Sequence, residues 1–239
     1  MRPHRYAGTV SDIPVLLVHG FASSFDRNWR EPGWVDVLEE EGRTVIGVDL
    51  LGHGDSPKPT DPDDYRELQT CVEGAIADYD LVDAVGFSLG AQLLLRVAAS
   101  DPGRFRRIAL GGVGDNVMRS HDPEPLARAV ETGVIGEDDP EAAGAFARFG
   151  RAPGNDPRAL AACLRRPHDP LTSVELADVR SPVLVVLGDR DFAGPPDQLL
   201  EALPSARLVS LAGADHFGTP KDYRFLAETV KFLAAGPDC

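Results

Sequence analysis

Six short apolar runs, each stopped by a glycine or a polar residue, punctuate the chain. Residues 14–18 (PVLLV) stop at His19-Gly20, residues 44–48 (TVIGV) at Asp49, and residues 81–86 (LVDAVG) at a turn holding Ser88. Residues 108–113 run into Gly114-Asp115-Asn116, residues 182–187 into Gly188-Asp189-Arg190-Asp191, and residues 207–211 into Ala212-Gly213-Ala214-Asp215-His216. The runs are rich in β-branched residues and continuous rather than alternating, which predicts strands covered on both faces of a parallel sheet. Helical spacing fills the gaps. Residues 35–41 stop at Gly42, a C-terminal glycine. Residues 89–99 place Leu93, Leu94, Val97 and Ala98 on one face, and residues 222–235 do the same with Phe225, Leu226, Val230 and Leu233. The alternation predicts an α/β fold: a doubly wound, mostly parallel open sheet of about six to seven strands.

One stretch breaks the rhythm. Residues 114–179 contain no strand-like run. Instead Asp122-Pro123, Asp139-Pro140 and Asp156-Pro157 recur at intervals of 17 residues, each ahead of an alanine- and leucine-rich segment. Aspartate as N-cap with proline in the first turn is a sound helix start, so three short helices are expected. The intervening sequences do not match, which argues against a true repeat. The chain divides accordingly into a core (residues 1–113), a helical cap insertion (114–179) and the rest of the core (180–239).

Composition narrows the function classes. The chain has 239 residues, is 43% hydrophobic and carries a formal net charge of −14. Nucleic-acid binding needs clustered Lys and Arg, and this surface repels polyanions. Cys71, Cys163 and Cys239 are scattered, with no C-x-x-C spacing and no histidine beside them, so neither a disulfide framework nor a zinc site is expected. A reducing cytoplasm suits them. The first residues, MRPHRYAGTVSD, have no apolar signal core, and no segment approaches a membrane span.

Ligands of open α/β sheets bind beyond the carboxyl ends of the strands, where Asp49, Ser88, Asp115, Asp189, Asp191 and His216 all fall. Ser88 stands between Gly86 and Gly90, directly after an expected strand and before an expected helix. Small residues at −2 and +2 let the two elements approach, and the hydroxyl is held at a helix N-terminus, where the dipole favours developing negative charge. A serine hydroxyl is a poor nucleophile at neutral pH and needs a base oriented by an acid. In this arrangement the partners follow in the order serine, acid, histidine. Of six histidines, His4, His19 and His53 precede Ser88, His121 and His168 lie in the insertion, and only His216 follows the last strand. For the acid, Asp191 has the best position. Asp115 competes from a neighbouring strand end, and Asp189 comes third, with a pairing to Arg190 as its other use.

These motifs together resemble the α/β-hydrolase superfamily, across nearly the whole chain: His19-Gly20-Phe21, residues 49–56 (DLLGHGDS), Gly86-Phe87-Ser88-Leu89-Gly90, Gly188-Asp189-Arg190-Asp191, and residues 213–217 (GADHF). The resemblance implies Ser88 as nucleophile, Asp191 as acid and His216 as base, with the backbone N–H groups of Phe21 and Leu89 as oxyanion hole. Two preset donors can supply on the order of 3 kcal/mol each of barrier lowering. It implies a cofactor-free and metal-free serine hydrolase that acts on a small-molecule ester or thioester through an acyl-enzyme, as monomer or homodimer. Perhydrolase (haloperoxidase-like) and carbon–carbon bond hydrolase chemistry are the alternatives. A slow-turnover receptor is the reading from another class. Phe21, Phe87, Phe192 and Phe217 flank the motifs and are expected to line an apolar pocket. His19 and His53 are expected to brace loops by hydrogen bonding. Only 13 residues precede Pro14, so the N-terminal strands of the family are expected to be trimmed. The insertion is short, and a thin cap built on segments such as residues 160–164 (LAACL) favours short to medium acyl esters, without interfacial activation.

Overall fold

All six apolar runs are strands of one sheet in the computed structural model, which describes residues 12–136 and 140–235. The strands are β1 (Val15–Val18), β2 (Val45–Val48), β3 (Val82–Phe87), β4 (Phe105–Gly111), β5 (Val183–Gly188) and β6 (Ala206–Leu211). They are ordered β2-β1-β3-β4-β5-β6 and every pairing is parallel. Val18 lies opposite both Val48 and Gly86, so the carboxyl ends of β1, β2 and β3 finish together. The direction of winding reverses between β1 and β3, and a crevice opens there. β1 is the first described strand. Residues 1–11, where any preceding strand of the family would fall, lie outside the described residues, as does Cys239.

Alternate residues of each strand enter opposite cores, as a period of two requires. Val15, Leu17, Val85, Leu184 and Val186 pack with α1 (Trp34–Glu40) and α9 (Tyr223–Ala234). Leu16, Val18, Ala84, Val183 and Val185 face α2 (Thr70–Ala75), α3 (Leu89–Ser100) and α8 (Asp197–Ala202) on the other side. The expectation of strands covered on both faces holds for β1, β3 and β5, whose residues are all buried. It fails for β2 and β6. These are the edges of the sheet, and Gly47, Arg207, Leu208 and Ser210 are exposed there.

The insertion leaves the sheet after β4 and returns at β5. It contains α4 (Glu124–Thr132), α5 (Pro140–Gly150) and α6 (Pro157–Arg165), one for each Asp-Pro pair. Asp122 accepts the Glu124 N–H at 3.0 Å, and Asp156 caps α6 by accepting the Arg158 N–H at 2.8 Å. Arg165 on α6 bridges Glu124 and Glu131 of α4, at 2.8 Å to each carboxylate. A fourth helix, α7 (Ser173–Ala177), was not expected. It starts from a capping box, in which Thr172 accepts the Glu175 N–H while the Glu175 carboxylate accepts the Thr172 N–H. No described helix is long and apolar enough to cross a membrane.

Candidate active site

β3 passes into α3 through Ser88 alone, and the join is sterically exacting. Ser88 holds φ 51° and ψ −112°, a backbone conformation that L-residues rarely adopt and that a surrounding structure must impose. A Cβ on Gly90 would stand 2.3 Å from the Val18 carbonyl oxygen, and one on Gly86 would stand 2.8 Å from Cα of Ala91. Both contacts are with backbone, which cannot swing aside. Glycines at −2 and +2 are therefore the condition for the strand, the turn and the helix to share this space. The Ser88 N–H donates to Gly111 O at 2.9 Å, which ties the turn to β4.

The serine meets two distant side chains. Ser88 Oγ lies 3.0 Å from His216 Nε2, and His216 Nδ1 lies 2.8 Å from Asp191 Oδ1. A carboxylate only accepts, so Nδ1 carries the proton and Nε2 is left as an acceptor toward the serine hydroxyl. Asp191 Oδ1 also accepts the Ala193 N–H at 2.9 Å, which fixes the loop after β5. His216 is 3% exposed and Asp191 8%, so this chain of hydrogen bonds is shielded from water along most of its length.

The rival acids have other partners. Asp115 is buried and its Oδ1 accepts the Leu199 N–H at 3.0 Å, which caps the first turn of α8 from a different part of the chain. Asp189 accepts the Gly213 N–H at 2.8 Å and so holds the loop after β6; that bond, rather than a pairing with Arg190, is its role here. Asp49 accepts the N–H groups of Phe25 and Asp55, both at 2.8 Å.

His19 and His53 brace loops, as expected. His19 Nδ1 lies 2.8 Å from Gly20 O, and Nε2 accepts the Leu50 N–H at 3.0 Å. The Nε2 lone pair is thus occupied, and its 3.7 Å approach to Asp49 is no ion pair while burial lowers the pKa of this imidazole. His53 Nδ1 lies 3.0 Å from Leu51 O, and its buried Nε2 has no partner among the described residues. Burial pushes His53 down to about 3, with the neighbouring His19 adding to the effect.

The loop after β1 faces the serine. Gly20 donates its N–H to the buried Asn28 Oδ1 at 2.8 Å, and Ala22 adopts a left-handed φ of 57°. Among the described residues no hydrogen bond uses the N–H of Phe21 or of Leu89. The Leu89 amide opens α3, where helical N–H groups have no partner within the helix.

A cavity of ≈ 350 Å³ opens over Ser88 and His216. Phe21, Phe87 and Phe217 line it, together with Phe146 and Phe149 from α5. Arg27, Glu31 and Lys221 are charged residues of the same lining. Phe192 is the exception among the expected pocket residues. It stacks on His216 with ring centroids 4.2 Å apart and is 48% exposed, so it covers the histidine without lining the cavity. Leu160 is likewise absent from the lining, and packs inside the cap with Val130 and Phe146. The pair Phe146 and Phe149, missed in the sequence, has helical spacing of three residues in the FARF segment, which puts both rings on one face. Among the described residues no group of three or more His, Cys, Asp or Glu is placed to hold a metal ion.

Known proteins match this architecture. The model of the alpha/beta hydrolase family matches residues 15–229. A pimeloyl-acyl-carrier-protein methyl ester esterase of Neisseria meningitidis is 29% identical over 257 aligned residues, covering 90% of this chain and 91% of that protein. A component of the acetoin cleaving system of Pseudomonas putida, a dihydrolipoyllysine-residue acetyltransferase, is 33% identical over 117 residues. That match takes in 46% of this chain and spans only 30% of the other protein. In three dimensions the chain is similar to an enol-lactonase from Burkholderia xenovorans LB400, with a TM-score of 0.74, 22% identity, and coverage of 97% and 94% of the two chains. The family match begins with the first residue of β1 and runs through sheet, elbow and cap into α9, and the chain belongs to the alpha/beta hydrolase family.

Proposed function

We propose that this protein hydrolyses small to medium carboxylic esters through an acyl-enzyme on Ser88. The observation that carries the reading is the continuous line from Ser88 Oγ through His216 to Asp191, at 3.0 and 2.8 Å, set on a strained turn at a helix N-terminus. In the first half-reaction His216 Nε2 takes the Ser88 proton as Oγ attacks the ester carbonyl. Asp191 holds the imidazole in the required tautomer and steadies the imidazolium that forms. The carbonyl oxygen becomes an oxyanion facing the N–H groups of Phe21 and Leu89, at the positive end of α3. The intermediate collapses, His216 returns its proton to the leaving alcohol, and Ser88 keeps the acyl group. Water then repeats the sequence and releases the acid. The aromatic lining and modest volume of the cavity suit a short or medium acyl chain, and the esterase name of the Neisseria relative agrees with the ester class.

The test pairs a fluorophosphonate probe with p-nitrophenyl esters of increasing acyl length. Stoichiometric labelling should map to Ser88, and Ser88→Ala should lose about three or more orders of magnitude in kcat while melting like the parent. A Ser88→Ala protein with near-parental turnover would sink the proposal, as would labelling of a different residue.

A further inference from the structure

The loop that bears the Phe21 amide is packed as part of the cap as well as of the sheet. The Ala22 methyl is buried in the cap's own apolar cluster, with Val130 of α4, Phe146 of α5 and Leu160 of α6. The Ala22 carbonyl accepts a hydrogen bond from Asn155 Nδ2 at 3.0 Å, and the same nitrogen donates to Phe149 O at 2.9 Å. Both partners are carbonyl oxygens, so only the amide nitrogen of Asn155 can face them. A second tie runs the other way, from the Arg27 guanidinium to Pro153 O.

Ala22 needs such restraint. With φ 57° it sits where an L-alanine is disfavoured, and freed of its partners it relaxes to negative φ and turns the chain beside Phe21. On the sheet side the loop is anchored by the Gly20 N–H on Asn28. On the cap side the anchors are the Ala22 methyl and carbonyl. The Phe21 amide lies between these two points.

We propose that Asn155 is a positioning residue: through the Ala22 carbonyl it sets the direction of the Phe21 N–H, so that seating the cap and completing the oxyanion hole are one event. Phe149 and Phe146, held on the same helix, close over the acyl site in the same step. The inference rests on the ester-hydrolase reading above. It follows that a cap displaced from Ala22 leaves Ser88 and His216 paired but stabilises the tetrahedral intermediate poorly.

The experiment compares the full-length parent with Asn155→Ala and with Asn155→Ser, which keeps one donor, on p-nitrophenyl butyrate. Active sites are counted by fluorophosphonate titration, so that loss of folded protein does not enter kcat. The expected result for Asn155→Ala is about a tenfold fall in kcat with KM within about twofold, since the lost interaction acts on the transition state. Inhibition by a trifluoromethyl ketone isostere, whose bound oxyanion occupies the same hole, should weaken by the same factor. Asn155→Ser should fall between, and is read in the same way if Asn155→Ala melts below the assay temperature. An unchanged kcat per titrated site overturns the inference while leaving the esterase reading intact, and so does a change confined to KM. If the parent itself neither turns over the ester nor takes the probe at Ser88, both fall together.

Discussion

Acidification from about pH 7.5 to about pH 5.5 should cost the fold about 1.4 kcal/mol through His53 alone. In the native state its imidazole is fully buried, with Nδ1 on Leu51 O and Nε2 without a partner among the described residues, and its pKa is held at about 3. In the unfolded chain the value is about 6.5. The unfolded state therefore takes up a proton first as pH falls, and stability that is complete above the unfolded pKa drains away through 6.5 toward 3. One pH unit below 6.5, the unfolded state gains RT ln(1 + 10), about 1.4 kcal/mol, while the folded state gains almost nothing. His19, lowered in the same direction by burial, adds to the loss over its own window. Urea unfolding followed by the fluorescence of the buried Trp29 and Trp34 measures this directly. The parent should lose about 1.4 kcal/mol more than His53→Asn between the two pH values, because groups remote from His53 titrate equally in both proteins. Parallel stability curves for the two proteins would refute the reasoning, since the buried neutral imidazole would then carry no pH dependence.

The acids separate function from stability. Asp191→Asn should cost about three to four orders of magnitude in kcat at nearly unchanged melting temperature, whereas Asp115→Ala, which removes the acceptor for the Leu199 N–H, should cost roughly 1–2 kcal/mol of stability through the first turn of α8 and keep its kcat. The cap gives a second contrast. Phe146→Ala and Phe149→Ala enlarge the cavity and should move the best p-nitrophenyl ester to longer acyl chains; Leu160→Ala, which lies off the cavity, should lose roughly 2–5 kcal/mol with the same chain-length profile.

Local pattern revealed what local physics decides. The strands were legible because β1, β3 and β5 are buried through their whole length, and the turn because Gly86 answers to Ala91 within one strand–turn–helix unit; that Gly90 answers to the Val18 carbonyl on β1 was not legible. Edge exposure of β2 and β6 was not legible, since strand order depends on pairings that no short window contains. The α7 start was visible in Thr172-Ser173-Val174-Glu175, whose spacing is that of a capping box, but the run behind it is too short to show helical periodicity. Phe192 left its expected place in the cavity lining, and Phe146, unforeseen in the sequence, entered it, both for a tertiary reason. The loop after β5 turns the Phe192 ring onto His216, and α5 brings Phe146 down over the cavity. Asn155 left no trace at all, because its partner at Ala22 is 133 residues away and is a backbone carbonyl.

At the opposite pole of the sheet from Ser88, Asp83, the second residue of β3, holds a fully buried carboxylate between Arg43 and Arg106. Arg43 also donates to Ile13 O, and Arg106 to Leu233 O and Ala235 O. The first and last described segments are thus gathered around a single side chain, some five strand residues, roughly 16 Å, from Ser88. Chain order at this pole is consequently independent of the chemistry. A circular permutant that joins these ends through a short glycine–serine bridge, with new termini opened in the exposed turn at residues 77–80, keeps the elbow, the histidine loop and the cap on uninterrupted chain. Such a rewired molecule turns the site into a module whose starting point along the chain can be chosen.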